Sequence, residues 1–149
     1  MIEKEKRAVV LLSGGLDSAT TLAIARGDGF ACHALSVAYG QRHAAELQAA
    51  AGVARALGAR EHRVVDVDLG QFGGSALTDR AVAVPKDALH SVAVPSTYVP
   101  ARHTVFLSFA IAVAEVAGAT EIVIGAKVRD YSGYPAGHPA FPRPFASVC

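Results

Sequence analysis

Cysteine is scarce in this chain: Cys32 and Cys149 are the two present, and they lie far apart. That excludes a disulfide framework and any tetrahedral thiolate site built from Cys-x-x-Cys pairs, so a reducing compartment, the cytoplasm, is the expected setting. Tryptophan is absent and aromatics are 7% of residues, although 52% are hydrophobic. Apolar volume is thus carried by Ala, Val and Leu, which suits helices packed on a buried sheet. No excess of one charge exists: the formal net charge is +1, which speaks against a nucleic-acid partner. Lys4, Lys6 and Arg7 read as a solvated leader. The start lacks the apolar core and cleavage site of a signal peptide. The apolar runs are too short and too interrupted to span a bilayer, so no membrane partner is expected. Internal repeats are missing as well, and 149 residues suit one domain with a sizeable core.

What is present is an alternation. Residues 8–12, Ala-Val-Val-Leu-Leu, predict a strand buried on both faces. Residues 17–26 predict a helix, with Leu16, Thr20, Ala23 and Ile24 on one face and Gly27 and Gly29 closing it. A second strand is expected over 31–38, an Ala-rich helix over 44–57 and a third strand over 62–67. Residues 68–102 carry turn signals and read as a long irregular excursion with one short helix. A second apolar helix follows over 104–117, then a fourth strand over 121–125. Such an order argues for an α/β fold: a doubly wound parallel sheet with helices on both faces. Ligands of such sheets bind outside the carboxyl ends of the strands, near the switch in strand order. Residues 13–18, 39–43 and 130–135 directly follow strands, and 100–103 precede a helix, so all four are expected at one rim.

Residues 13–18 are Ser-Gly-Gly-Leu-Asp-Ser. Backbone N–H groups at a helix start, with the helix dipole, suit an anion. Gly14 and Gly15 admit close approach of phosphate oxygens, and Ser13 and Ser18 offer hydroxyl donors. Asp17 can hold Mg²⁺ bridging phosphate oxygens, or it can simply favour the helix start. The pattern is neither Walker A nor Gly-x-Gly-x-x-Gly. His33 is expected to be buried and structural, while His62, His90 and Glu46 are expected at the surface.

The six residues resemble the signature of the N-type ATP pyrophosphatases. That resemblance implies an adenine-nucleotide α-hydrolase-like domain that cleaves ATP between the α- and β-phosphates. Such a domain adenylates a carboxylate and holds the departing pyrophosphate in the loop. It places the nucleotide against Leu12, Ser13, Gly14, Gly15, Leu16, Asp17, Ser18, Ala19, Thr20, Thr21 and Leu22. Three further segments narrow the resemblance: Tyr39-Gly40-Gln41-Arg42-His43, Pro100-Ala101-Arg102 and Asp130-Tyr131-Ser132-Gly133-Tyr134-Pro135. Together they are similar to the 7-cyano-7-deazaguanine (preQ0) synthase family of queuosine biosynthesis. The resemblance implies 7-carboxy-7-deazaguanine and ammonia as small-molecule substrates, with ATP and Mg²⁺. Arg42, Arg102 and Asp17 would be catalytic, and Tyr39, Gln41, Arg42, Asp130, Tyr131, Ser132 and Tyr134 would contact substrate.

The chain departs from that family in three places. Family members carry a zinc-binding cluster of four cysteines beyond the tyrosine–proline segment, for which this chain has no ligands. Ala136-Gly137-His138 stands where Asp-Cys-Arg is usual, and His103 where Asn is usual. Residues 1–135 are expected to form the nucleotide-binding domain and 136–149 an irregular tail, the mark of a truncated or frame-shifted C-terminus. Two other readings stay open: another amide-forming or thiolating ligase of the same superfamily, and a nucleotide-binding module without catalysis. A homodimer is one assembly the sequence allows.

Overall fold

The structure, a computed structural model, describes residues 4–40, 44–75 and 102–125. The chain divides into two compact units. The first comprises residues 1–38, 43–67 and 106–125, and the second 39–42, 68–105 and 126–149.

The elements of the larger unit follow the predicted order: β1 Arg7–Leu11, α1 Leu16–Gly27, β2 Ala31–Ala38, α2 Ala45–Ala56, β3 Glu61–Asp66, α3 Arg102–Ala117 (its residues from Phe106 onward) and β4 Glu121–Val123. The strands form a parallel sheet in the order β3-β2-β1-β4. β1 therefore sits inside the sheet, which is why its sequence is apolar on every residue from Ala8 to Val10, all fully buried.

Alternation along the strands sorts the core into two layers. Val10 and Leu12 of the β1 segment, with Cys32 and Ala34 of β2, meet Leu22 and Ala25 of α1 and Ala50 and Ala54 of α2. Val9 and Leu35 point the other way and meet Ala110, Val113 and Ala114 of α3. Thus α1 and α2 cover one face and α3 the other. The chain winds outward through β2 and β3, then returns past β1 to β4. The switch in strand order falls between β1 and β4, so the loop leaving β1 stands where such sheets take ligands.

The face that Leu16, Thr20, Ala23 and Ile24 share is the outer one. Leu16 and Ile24 are 81% and 59% exposed, and Thr20 and Ala23 are exposed with them. The buried residues are Ser18, Leu22 and Ala25. In a helix this rich in small residues, hydrophobicity alone marks the face weakly. Ser18 turns inward instead, because its hydroxyl closes the preceding loop. His62 departs from the surface role expected of it: it is half-buried and bonded to Ser36. His33 is buried as expected, with Nδ1 donating to the Glu61 carboxylate at 3.2 Å. Glu61 is held below the usual carboxylate range, first by Arg63 and then by His33.

The smaller unit holds Tyr39, Gly40, a short 3₁₀ turn at Leu69–Phe72 and Arg102–Val105. Asp68 caps the turn by accepting from the Gly70 amide at 3.0 Å. The turn falls in the expected excursion, whose residues 76–101 lie outside the described residues, as does the expected tail.

The two faces of α1 set a test. Leu22→Ala should cost about 2–5 kcal/mol of unfolding free energy, the usual range for emptying a closed site. Leu16→Ala and Ile24→Ala should each stay within about 0.5 kcal/mol. Urea unfolding of the three variants reads both outcomes.

Candidate functional site: the loop after β1 and the Tyr39–Arg102 pair

The ladder of β1 ends at Leu12, whose amide donates to the Leu35 carbonyl at 2.8 Å. The chain then leaves the sheet through Ser13, Gly14 and Gly15 and enters α1. A chain of hydrogen bonds shapes this exit. The Ser13 amide donates to Ser18 Oγ at 3.2 Å, Ser18 Oγ donates to the Gly15 carbonyl at 3.0 Å, and the Gly15 amide donates to Ser13 Oγ at 3.3 Å. The two hydroxyls lie 3.1 Å apart. Ser18 has one hydroxyl proton and spends it on Gly15, so Ser13 is the donor between the two hydroxyls. Both protons are committed within the loop, and the serines brace it. Gly15 caps α1 without a side-chain hydrogen bond. The amides of a first helical turn lack intrahelical acceptors, so the anion-binding capacity here belongs to backbone N–H groups and the dipole.

Gly14 has a φ of +89°, and a Cβ there would lie 2.6 Å from both the Glu46 carbonyl oxygen and the Ala50 nitrogen of α2. Its lack of a side chain lets the loop lie directly on the α2 backbone, a role beyond the phosphate approach expected of it. A second close approach was not read from the sequence. Gly125, after β4, would place a Cβ 2.9 Å from Thr21 Oγ1 and 3.1 Å from the Asp17 carbonyl oxygen. Its signal was present, a glycine directly behind an apolar strand, the setting in which another backbone approaches closely.

The other predicted nucleotide contacts divide by exposure. Leu12 and Leu22 are buried in the core, so their side chains cannot face a ligand. Leu16, Asp17 and Thr20 are exposed, and Ala19 and Thr21 are partly so. Thr20 and Thr21 donate their hydroxyls back to the Leu16 and Asp17 carbonyls, each at 2.8 Å. Among the described residues no group of three or more His, Cys, Asp or Glu stands ready to hold a metal ion. Asp17 is the carboxylate of the first turn of α1, which suits a magnesium ion that takes most of its ligands from phosphate and water.

In the smaller unit the structure brings together two residues that are 63 positions apart in sequence, Tyr39 and Arg102. Arg102 Nη1 donates to Tyr39 Oη at 3.1 Å, and the guanidinium carbon stands 5.4 Å from the ring centroid. The Tyr39 ring is buried. Arg102 opens α3, where the dipole disfavours a cation, and the tyrosine supplies both a lone pair and a π face in compensation. Gln41, Arg42, Asp130, Tyr131, Ser132 and Tyr134 lie outside the described residues, as do His43, Pro100, Ala101 and Pro135.

Comparison with known proteins shows the family and the fold. The family model described as queuosine biosynthesis protein QueC matches residues 7–149. The chain belongs to that family. It is 66% identical over 142 residues to a 7-cyano-7-deazaguanine synthase of Azoarcus sp. (strain BH72), covering 95% of this chain and 62% of that protein. It is 61% identical to the synthase of Anaeromyxobacter sp. (strain Fw109-5), covering 94% of this chain and 61% of that one. The chain thus spans about three fifths of the length of these QueC relatives. Among solved structures the fold is shared with the NMN synthetase of Francisella tularensis at a TM-score of 0.54 and 18% identity, covering 79% of this chain and 44% of that one. It is shared too with a predicted tRNA methyltransferase subunit of Methanocaldococcus jannaschii at 0.56 and 18%, covering 96% and 63%. Both matches support the adenine-nucleotide α-hydrolase-like fold expected from the loop.

The two glycines of the loop should respond differently to a methyl group. Gly14→Ala should lose at least about 2 kcal/mol of stability, from the left-handed φ together with the clash on α2. Gly15→Ala, whose Cβ would meet nothing closer than Ser13 Oγ at 3.5 Å, should cost no more than about 1 kcal/mol. Chemical denaturation of both variants separates the two cases.

His62 yields a pH test. Burial holds its pKa below the ordinary 6.5. The unfolded chain therefore binds the proton more readily, and stability falls as pH drops from about 6.5 toward the folded pKa. This loss precedes the titration of carboxylates. Stability measured across pH 7 to 5 should fall more gently in His62→Gln than in the parent.

Proposed function

We propose that this chain forms the nucleotide-binding part of a 7-cyano-7-deazaguanine synthase, which uses ATP to activate 7-carboxy-7-deazaguanine and ammonia to supply the nitrile nitrogen. The observation that carries this reading is the braced loop of residues 13–18 at the switch point of a doubly wound sheet, in a chain of the QueC family.

A carboxylate is a poor electrophile, and adenylation gives it AMP as a leaving group. Attack of the carboxylate oxygen on the α-phosphorus of ATP breaks the bond to the β-phosphate and releases pyrophosphate. Ammonia then displaces AMP to give an amide. A second adenylation, on the amide oxygen, lets the C–O bond break with loss of AMP and two protons, leaving the nitrile. The loop backbone would bind the pyrophosphate portion through N–H groups fixed before the substrate arrives, so little reorganisation is needed as charge develops. Asp17 would hold Mg²⁺, which when bound would neutralise phosphate charge. Arg42 and Arg102 are assigned to the developing negative charge, with Tyr39 holding the Arg102 guanidinium in one orientation. Gln41, Asp130, Tyr131, Ser132 and Tyr134 are assigned to the deazapurine by the family resemblance. A soluble cytoplasmic setting fits this chemistry.

The test is an incubation of the purified chain with ATP, Mg²⁺, ammonia and 7-carboxy-7-deazaguanine, followed by mass analysis. A nitrile product, with pyrophosphate release that depends on the acid, is the expected result. ATP binding without turnover would instead support a module without catalysis, and adenylation of a different acid would support another ligase. In active protein, Arg102→Lys should lower kcat by about 10²-fold or more, because a point charge does not replace the planar fork. Tyr39→Phe, which removes one hydrogen bond but keeps the ring, should lower it by about tenfold.

A further inference from the structure

The peptide joining Leu12 to Ser13 is gripped at both ends. Its N–H, on Ser13, donates to Ser18 Oγ at 3.2 Å. Its carbonyl, on Leu12, accepts from Ser36 Oγ at 2.6 Å. This peptide is the point at which β1 leaves the sheet, just past the Leu12–Leu35 ladder bond. A backbone amide of β2 would take the carbonyl if the ladder continued. Here a side chain takes it, on the face toward which the chain turns, the face shared by Val10, Ala34 and α1.

Ser36 is itself held. It is 2% exposed, and its Oγ lies 2.8 Å from His62 Nε2 on β3. A hydroxyl has one proton, and Ser36 gives it to Leu12, so His62 Nε2 is the donor to Ser36. The order of donation is therefore His62 to Ser36 to Leu12. It runs from β3 through β2 into the loop and requires only that His62 carry a proton on Nε2.

We infer that Ser36, oriented by His62, is a positioning residue for the anion-binding loop, fixing the plane of the Leu12–Ser13 peptide from which the loop's amides take their direction. The inference rests on the reading that this loop binds pyrophosphate. Neither residue touches the ligand; each acts through the Leu12 carbonyl. An anion bound by several backbone N–H groups needs them to converge, and a rotated first peptide turns those that follow.

The test uses the purified chain, with inorganic pyrophosphate and Mg²⁺ as the probe in calorimetry and amide hydrogen exchange as a second readout. Ser36→Ala should weaken pyrophosphate binding about tenfold, the worth of one well-placed hydrogen bond. Ser36→Thr, which keeps the hydroxyl, should return to within about threefold of the parent. His62→Gln retains an N–H donor and should bind more tightly than His62→Phe. In Ser36→Ala the Ser13 and Gly15 amides should exchange at least about tenfold faster, while those of Cys32 to Leu35 keep the parent rate. Parent-like affinity and parent-like loop exchange in Ser36→Ala would overturn the inference. So would acceleration spread evenly through β2, since that marks general loosening. A parent chain that does not bind pyrophosphate overturns the reading of the loop instead, and loop exchange then still decides whether Ser36 orders it.

Discussion

A strand buried on both faces cannot end without settling its last polar groups. β1 meets that constraint with side chains: Ser18 takes the Ser13 amide and Ser36 supplies the Leu12 carbonyl. The turn of Ser18 toward the core follows, and with it the rotation of α1 that buries Leu22 and leaves Leu16 exposed. The loop's shape, the face α1 presents and the direction of its first amides are thus consequences of one exit problem. Unpaired polar groups at such a depth each cost about 1–3 kcal/mol, enough to make the arrangement obligatory in a domain of ordinary stability.

The site combines two kinds of rigidity. Hydrogen bonds set the loop's orientation, and atomic contact sets its position, since Gly14 rests on the α2 backbone with no room for a methyl group. Backbone amides fixed in this way present partial positive charge without the desolvation cost of a buried cation. In the smaller unit, taken by itself, the Arg102 guanidinium is held by a neutral tyrosine.

Much of this was legible in the sequence. The strand–helix alternation and the apolar run of β1 pointed to the parallel sheet, and the Ser-Gly-Gly-Leu-Asp-Ser segment lies, as expected, between β1 and α1 at the switch in strand order. Tyr39 and Arg102 were both picked out, though not their contact, because a pairing across 63 positions leaves no local pattern. Which face of α1 turns inward was not read from the sequence, because Leu16 and Ile24 lie on the outer face and the decisive inward residue is a serine. His62 looked like a surface residue because its chain neighbours Glu61 and Arg63 are charged, although strand alternation turns it to the opposite face from them. Its partner Ser36 is visible only once the β2–β3 register, Ala34 opposite His62, is known. Gly125 carried a signal, but the surface it touches is not local in sequence.

The Gly125 contact has a further consequence. The closest approach between the end of β4 and the first turns of α1 is limited by the radii of atoms: a side chain at Gly125 would meet Thr21 and the Asp17 carbonyl. Ion pairs elsewhere on the domain, such as Glu5 with Arg60 and Arg7, weaken with added salt and with acid. A van der Waals stop does neither. The end of β4 therefore keeps a steric limit on its approach to the loop helix that is indifferent to ionic strength and pH, beside the sheet pairing that carries β4.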